Sequence, residues 1–363
     1  MKIIVWICGA AAVLLGFTGL MFLMSDHDEL DLVIGTYGEN IYKYSFDDHT
    51  FEFSLKGISN AENASYALEE KGVVYAVSET GQSSGAYSFR ADGMKLLSES
   101  RQTGDDPCFL LIHEGKMLTA DYSGGSVSVF PVENGILGEM CQQLHFDGDG
   151  PVEARQESSH IHQLQLLPGD FDDEWILATD LGADVIHVLK CADGDVLEHA
   201  YDVECPSGSG PRHMEFSKDG KILYCIAELS GEVLVYGTDI ESDGPVFRLV
   251  QRIQADEVNA GGSADIHIHP SGRWLYTSHR LDNDGIAIFN IKEDGTLEKT
   301  GYVRTARHPR NFMISPDGNL LFVACRDDKV IQVFRIEKDG SLVLTPSVLS
   351  FENDMPSSVR LCP

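Results

Sequence analysis

A hydrophobic stretch that ends in a cluster of polar residues recurs seven times along this chain. The copies read LVIGTY (32–37), VVYAVSE (73–79), KMLTADY (116–122), WILATDL (175–181), ILYCIAEL (222–229), WLYTSHR (274–280) and LLFVACR (320–326). A repeat of roughly 40–60 residues built only from β-type segments predicts a propeller or a solenoid. One unit reads in full near the C-terminus. Residues 309–316 (PRNFMISP) form a first strand, Asp317-Gly318 a turn, and 320–325 a second strand. The alternating VIQVFRI (330–336) forms a third, Asp339-Gly340 a second turn, and 341–344 the start of a fourth. Asp-Gly between alternating strands is a strong hairpin signal. Units at 264–291 and 211–236 repeat the plan, so each unit is a four-stranded antiparallel propeller blade.

First strands are found at 64–70, 107–114, 160–168, 211–217, 264–270, 309–316 and 357–363, which makes seven. The chain opens on a second strand (32–37) and finishes on a first strand (357–363). The expectation is an all-β, seven-bladed propeller over 31–363, closed when the C-terminal strand completes the N-terminal blade. Closure removes the open edge that invites aggregation; the alternative is an open array with an unpaired tail. Beyond residue 25 no segment has helical periodicity.

The first and second strands of a blade run antiparallel, so the start of one and the end of the other share a face near the axis. Starts of first strands supply Ser65, His160, His162, Arg212, His213, Asp265, Arg310 and Asn311. Ends of second strands supply Tyr37, Glu79, Asp121, Tyr122, Asp180, Glu228, His279, Arg280 and Arg326. All are expected to border one funnel. Strand formation does not require charge there, and burying it is costly unless the charge pairs or binds something. Arg212, Arg280, Arg310 and Arg326 form a local positive field suited to a carboxylate or phosphate. Alternatively they pair with Asp180, Glu228 and Asp265 to join blades. His160 and His162 are two apart on a strand start, so only one imidazole should enter the channel. A metal site using both is therefore not expected. A carboxylate-only calcium site from Asp180, Glu228 and Asp265 is a lesser alternative. No HExxH motif or Walker loop is present, and no cofactor is expected.

Composition narrows the partners. With 27 Lys+Arg against 57 Asp+Glu the net charge is −30. Such a surface repels phosphodiester backbones, which argues against nucleic-acid binding. The expected partner is a small anionic ligand held at the axis, and a closed propeller needs no second copy to fold. The eight cysteines form no CxxC pair, so neither structural zinc nor a disulfide framework is implied. Between Lys2 and Asp26 the run Ile3–Met24 carries no charge and is long enough to span a bilayer. Residues 1–25 are expected to be an anchor, with membrane attachment through 3–24 and the propeller outside the cytoplasm. A cleaved signal peptide is the alternative, and a cytoplasmic location follows if the run is not a targeting segment.

SSHIH (158–162), ATDLGAD (178–184), GSGPRHMEFSKDGKILYCIAEL (208–229), SADIHIHPSGRWLYTSHR (263–280) and HPRNFMISPDGNLLFVACR (308–326) resemble the seven-bladed β-propeller lactonase family. That family includes bacterial 6-phosphogluconolactonases and a fungal carboxy-cis,cis-muconate cyclase. Residues 106–131 and 34–47 match too, so the resemblance covers nearly everything from residue 31 onward. It implies a hydrolase opening a sugar lactone, most simply 6-phosphogluconolactone-like. It also implies catalytic roles for His160, Arg212, Glu228 and Arg280. Substrate contacts are then expected from His162, Asp180, Asp265, His279, Arg310, Arg326, Glu79 and Asp121. Glu228 or His160 would serve as base and the other would donate to the leaving oxygen. Three departures from the family pattern leave the substrate open: Asp265 stands where Glu is common, and His279 and Arg326 replace amides. The other readings are a cycloisomerase that forms a lactone and a non-catalytic propeller that binds a small anion or carbohydrate.

Overall fold

The strands of each repeat lie side by side in chain order, giving seven antiparallel sheets arranged in a ring. A computed structural model describes residues 29–169, 174–192, 196–241 and 244–362; the segment 1–25, with its expected anchor, lies outside them. Among the described residues no helix is long and apolar enough to cross a membrane. Helical turns there are the short 3-10 segments Gly81–Ser83 and Asp92–Met94.

The inner strands of blades 2 to 7 are Tyr66–Glu70, Pro107–His113, Ile161–Leu166, Pro211–Phe216, Ser263–Ile268 and Pro309–Ile314. Each pairs with its second strand: Val73–Ser78, Lys116–Asp121, Trp175–Asp180, Ile222–Ala227, Trp274–His279 and Leu320–Cys325. Blade 1 is assembled from both ends of the chain. Its inner strand, Met355–Leu361, pairs with Leu30–Tyr37 through Leu32–Leu361, Val33–Arg360 and Ile34–Val359. The C-terminal strand therefore closes the ring.

The second strands are buried on both faces, as their continuous apolar runs require. Leu223, Cys225, Leu275, Leu321 and Val323 are wholly inaccessible. Burying each such aliphatic side chain contributes roughly 1.5–3 kcal/mol. Turns between the third and fourth strands join adjacent blades through their carbonyls. Tyr224 Oη donates to Gly295 O (2.8 Å) and Tyr276 Oη to Gly340 O (2.9 Å). Gly340 adopts φ +83°, and a Cβ there would lie 2.6 Å from the Trp274 indole; both facts demand glycine.

Two recurrent backbone features prepare the axis. In six blades the residue just after the second strand donates its N–H to the carbonyl of the residue that precedes the inner strand by one or more positions. The pairs are Glu79 to Asn63, Tyr122 to Asp106, Leu181 to His160, Glu228 to Gly210, Arg280 to Gly262 and Arg326 to His308, at 2.7–3.1 Å. In addition, the inner strands of blades 3, 4, 5 and 7 lose register with their partners at one residue. The breaks fall between Pro107 and Phe109, Ile161 and Gln163, Pro211 and His213, and Pro309 and Asn311. The skipped residues are Cys108, His162, Arg212 and Arg310. A bulge frees one side chain from the two-residue alternation and re-aims it.

Candidate active site

Three of the four bulged residues line a cavity on the axis, together with residues just past the second strands. Its wall comprises Tyr37, Glu79, Cys108, Tyr122, Arg155, His162, Glu228, Gly261, Gly262, Arg280, Leu281 and Arg310, around about 300 Å³. That is the low end of ligand cavities, about 300–1,000 Å³, and suits one sugar ring.

Glu228 is the electrostatic centre. Its Oε1 accepts from Arg155 Nη2 at 2.7 Å. Its Oε2 lies 2.7 Å from Arg212 Nε and 3.0 Å from Arg280 Nη2. Burial works against the carboxylate, but Arg280, Arg212 and Arg155 pull its pKa down to about 2. Glu228 is therefore ionised at every ordinary pH, with both oxygens engaged. Arg212, the fourth bulged residue, lies behind the wall and is almost wholly buried. Its Nη1 donates to Ala264 O, whereas its Nε–H finds no aligned acceptor despite the close carboxylate. The contact to Glu228 is thus an ion pair and not a hydrogen bond. Arg280 Nε donates to Gly262 O (2.9 Å), and its Nη1 lies 3.4 Å from His308 Nε2.

Across the cavity, Arg310 packs over the Tyr37 ring with its guanidinium carbon 5.2 Å from the centroid. Its nearest carboxylate oxygen is Glu79 Oε1 at 3.8 Å, and both Glu79 oxygens already accept from Tyr37 Oη at 2.8 and 2.9 Å. Among the described residues the Arg310 guanidinium makes no hydrogen bond, so its donors are available to a ligand. Four guanidiniums thus meet two carboxylates, and the site is cationic within an acidic protein.

His162 stands between these groups. Burial, followed by the nearby charges of Arg212, His213 and Arg310, holds its pKa well below the usual imidazole value. It is a neutral imidazole, with Nδ1 3.7 Å from Cys108 Sγ and no described partner for Nε2. The Cys108 thiol is pushed well up by burial and stays protonated.

The structure separates the sequence-derived candidates into two groups. Arg212, Glu228, Arg280, Arg310, His162 and Glu79 come together. His160 stands outside the wall: its ring stacks on Tyr122 with centroids 4.4 Å apart, and its Nδ1 is bonded to Tyr122 O at 3.0 Å. It precedes the strand, whereas the bulge turns His162 inward. Asp121, Asp180 and His279 are the last residues of their strands and face sideways into the blade, one position out of phase with the wall. Asp121 accepts from Thr119, Ser126 and Ser128. Asp180 accepts from the N–H groups of His160, Gly182 and Ala183. His279 bonds Ser263 and Thr277. Asp265 is also committed, to His213 Nδ1 at 2.7 Å, Asn311 Nδ2 and Phe312 N. Arg326 pairs with Asp327 at 2.7 Å outside the wall. Asp180, Glu228 and Asp265 thus serve three separate networks, and Glu228 is saturated by guanidiniums. A carboxylate-only calcium site has no basis in this arrangement.

The model of the lactonase, seven-bladed β-propeller family matches residues 31–361. The chain belongs to the seven-bladed β-propeller lactonase family. A 6-phosphogluconolactonase of Bacillus subtilis is 30% identical over 338 residues, covering 87% of this chain and 94% of that protein. One from Formosa agariphila is 34% identical over 270 residues, covering 71% and 75%. Among solved structures, the Pseudomonas aeruginosa periplasmic gluconolactonase superposes with a TM-score of 0.83 at 27% identity, covering 93% of this chain and 99% of that one. A candidate 6-phosphogluconolactonase of Bacteroides uniformis gives 0.86 at 39%, covering 92% and 99%.

Five wall residues, Cys108, Arg155, Gly261, Gly262 and Leu281, belong to neither set of strand-end candidates, and two of them carry chemistry. Arg155 sits on 146–160, the longest connection between blades, and has no counterpart in other repeats. The loop is held by Gln156, which is fully buried: its Nε2 donates to Leu181 O and its Oε1 accepts from Val152 N. The unusual length of this connection was the available signal. Cys108 occupies the same bulge position as His162 and Arg310, a register break that period-two reading does not reveal.

Proposed function

We propose that the axial cavity hydrolyses a sugar lactone bearing an anionic group, of the 6-phosphogluconolactone kind. The observation that carries this reading is the pairing of a saturated Glu228–arginine cluster with an Arg310 guanidinium that makes no hydrogen bond among the described residues, across a cavity the size of one sugar. The names of the Bacillus and Formosa relatives support it.

Ester opening requires a base for water, charge to meet the developing oxyanion, and a proton for the departing ring oxygen. A base of pKa near 2 is weak, which turns the assignment away from Glu228. Its part is to hold Arg155, Arg212 and Arg280 in place. His162 is the neutral base on the wall. Through Nε2 it takes a proton from water as the water oxygen bonds to the lactone carbonyl carbon. The carbonyl electrons move onto oxygen, where the Arg280 and Arg155 guanidiniums meet the negative charge. When the tetrahedral adduct collapses, the ring C–O bond breaks and the imidazolium returns its proton to the ring oxygen. The product acid then loses one proton to solvent. Arg310 docks the substrate's phosphate or carboxylate through fork-like hydrogen bonds.

The test compares hydrolysis of 6-phosphoglucono-δ-lactone and glucono-δ-lactone by the wild type and Arg310→Met. Charge-assisted hydrogen bonds contribute about 1.5–3 kcal/mol, so the variant should raise KM for the phosphorylated lactone about 10–100-fold and leave the neutral lactone nearly unchanged. Equal losses for both lactones would remove Arg310 from anion binding. No turnover of any lactone by the wild type would remove the hydrolase reading and leave anion binding or cyclisation.

A further inference from the structure

We propose that His187, His199 and Asp202, on the outer half of blade 4, form a binding site for a late first-row divalent cation such as Zn2+. The site lies outside the axial cavity and depends on none of the catalytic assignments. His187 is on the third strand of the blade, Val185–Ala192, and the other two residues are on the fourth, Val196–Glu204. His187 faces Asp202 directly across the ladder. In a regular strand, residues 199 and 202 would point to opposite faces. The register breaks between Val188 and Leu189, whose partners are Tyr201 and His199. Ala200 is thereby skipped, and His199 joins Asp202 on the His187 face. The donor atoms of all three residues lie within 4.8 Å of one another.

The surroundings resemble the support of a metal-binding histidine. His187 is buried, and its Nε2 lies 3.2 Å from the inaccessible Asp180 Oδ2. That contact places the Nε2 proton on the Asp180 side and leaves Nδ1 for the cluster, the carboxylate–histidine–metal arrangement. Phe146 stacks on the His187 ring (centroids 4.0 Å) and meets His199 edge-on (5.9 Å), which shields one side. His199 and Asp202 are partly exposed, which gives an entry path and an open fourth position for water. Two imidazoles and one carboxylate in a tetrahedral set favour Zn2+ over Ca2+ or Mg2+. Asp202 Oδ1 lies 2.6 Å from both His187 Nδ1 and His199 Nε2. Ligand bonds of about 2.0–2.2 Å separate tetrahedral donors by roughly 3.3 Å. Cation entry therefore spreads the two exposed side chains by under 1 Å each, within the freedom of an outer strand.

The placement links this site to the loop that carries Arg155. Phe146 is the first residue of 146–160, and the N–H of His160 at its far end bonds Asp180. A cation here would brace both roots of that loop.

The experiment is calorimetric titration of Zn2+ into the chelator-treated full chain, repeated with His199→Ala, with His187→Gln, and with His49→Ala as a control on an exposed histidine of blade 1. Cobalt absorption in the visible range serves as a second readout of tetrahedral geometry. One equivalent of Zn2+ should bind the wild type and the control. His199→Ala, at a partly exposed position, should weaken binding at least about tenfold. Absence of saturable binding, or the same affinity in His199→Ala, would overturn the site. Lactone turnover by the zinc-free protein is a separate observation, so this test stands or falls apart from the proposed activity.

Discussion

At the scale of single residues, the account rests on which groups remain chemically free. Glu228 is spent on three guanidiniums, Asp265 on two blades and Asp180 on a turn, whereas His162 Nε2 has no described partner and the Arg310 fork makes no hydrogen bond among the described residues. His162→Ala should lower kcat about 10²–10⁴-fold, the usual worth of a general base. His160→Ala, whose ring stacks on Tyr122 and lies 3.6 Å from the Glu157 carboxylate outside the wall, should leave kcat within tenfold. Because burial and the neighbouring Arg212 and Arg310 guanidiniums depress His162, the acidic limb of kcat/KM should fall well below pH 6.5. A limb at or above that value, or the opposite ranking of the two variants, contradicts the assignment. The sequence placed Arg212, Glu228, Arg280 and Arg310 near the axis because a strand start and a strand end are fixed by the repeat. It could not choose between His160 and His162. Alternation says that the two differ in direction, but only the bulge decides which one turns inward. Arg155 belongs to no repeat, so no periodic argument reaches it.

At the scale of the strand, one residue of phase separates wall from scaffold. Ser78, Asp121, Asp180, Ala227, His279 and Cys325 end their strands and face neighbouring strands. The residues that follow them turn toward the axis, and Glu79, Tyr122, Glu228 and Arg280 reach the cavity. The repeated phrase shows both positions as one polar cluster, which is why Asp121, Asp180 and His279 were expected in the funnel. Asp121 carries a measurable consequence. Burial lifts its pKa to about 6, against the hydrogen bonds from Ser128, Thr119 and Ser126. The unfolded carboxyl titrates near 3.9. Between these values the folded chain keeps a proton that the unfolded chain has lost, so stability declines as pH rises from about 4 to about 6. The full effect is about 2–3 kcal/mol. Asp121→Asn has no such proton, and its stability relative to the wild type should rise across that window. A difference that is independent of pH would show that Asp121 titrates normally.

At the scale of the molecule, the ring converts seven similar sheets into one asymmetric site. Strand count, blade number and closure by 357–363 were legible because apolar phrases, Asp-Gly turns and the order of first and second strands all repeat. The chemistry sits where repeats differ, in a cationic cavity at the axis of a chain with net charge −30. On the proposed function, that local reversal of sign attracts an anionic lactone into a molecule whose outer surface repels it. The most direct test of the central claim is the kcat for 6-phosphoglucono-δ-lactone of Arg280→Met against the wild type, with thermal midpoints recorded for both. Loss of one oxyanion donor predicts a fall of about 10²–10³-fold in a protein that still unfolds cooperatively. A folded variant with kcat within twofold of the wild type would contradict an arginine-centred active site on the axis.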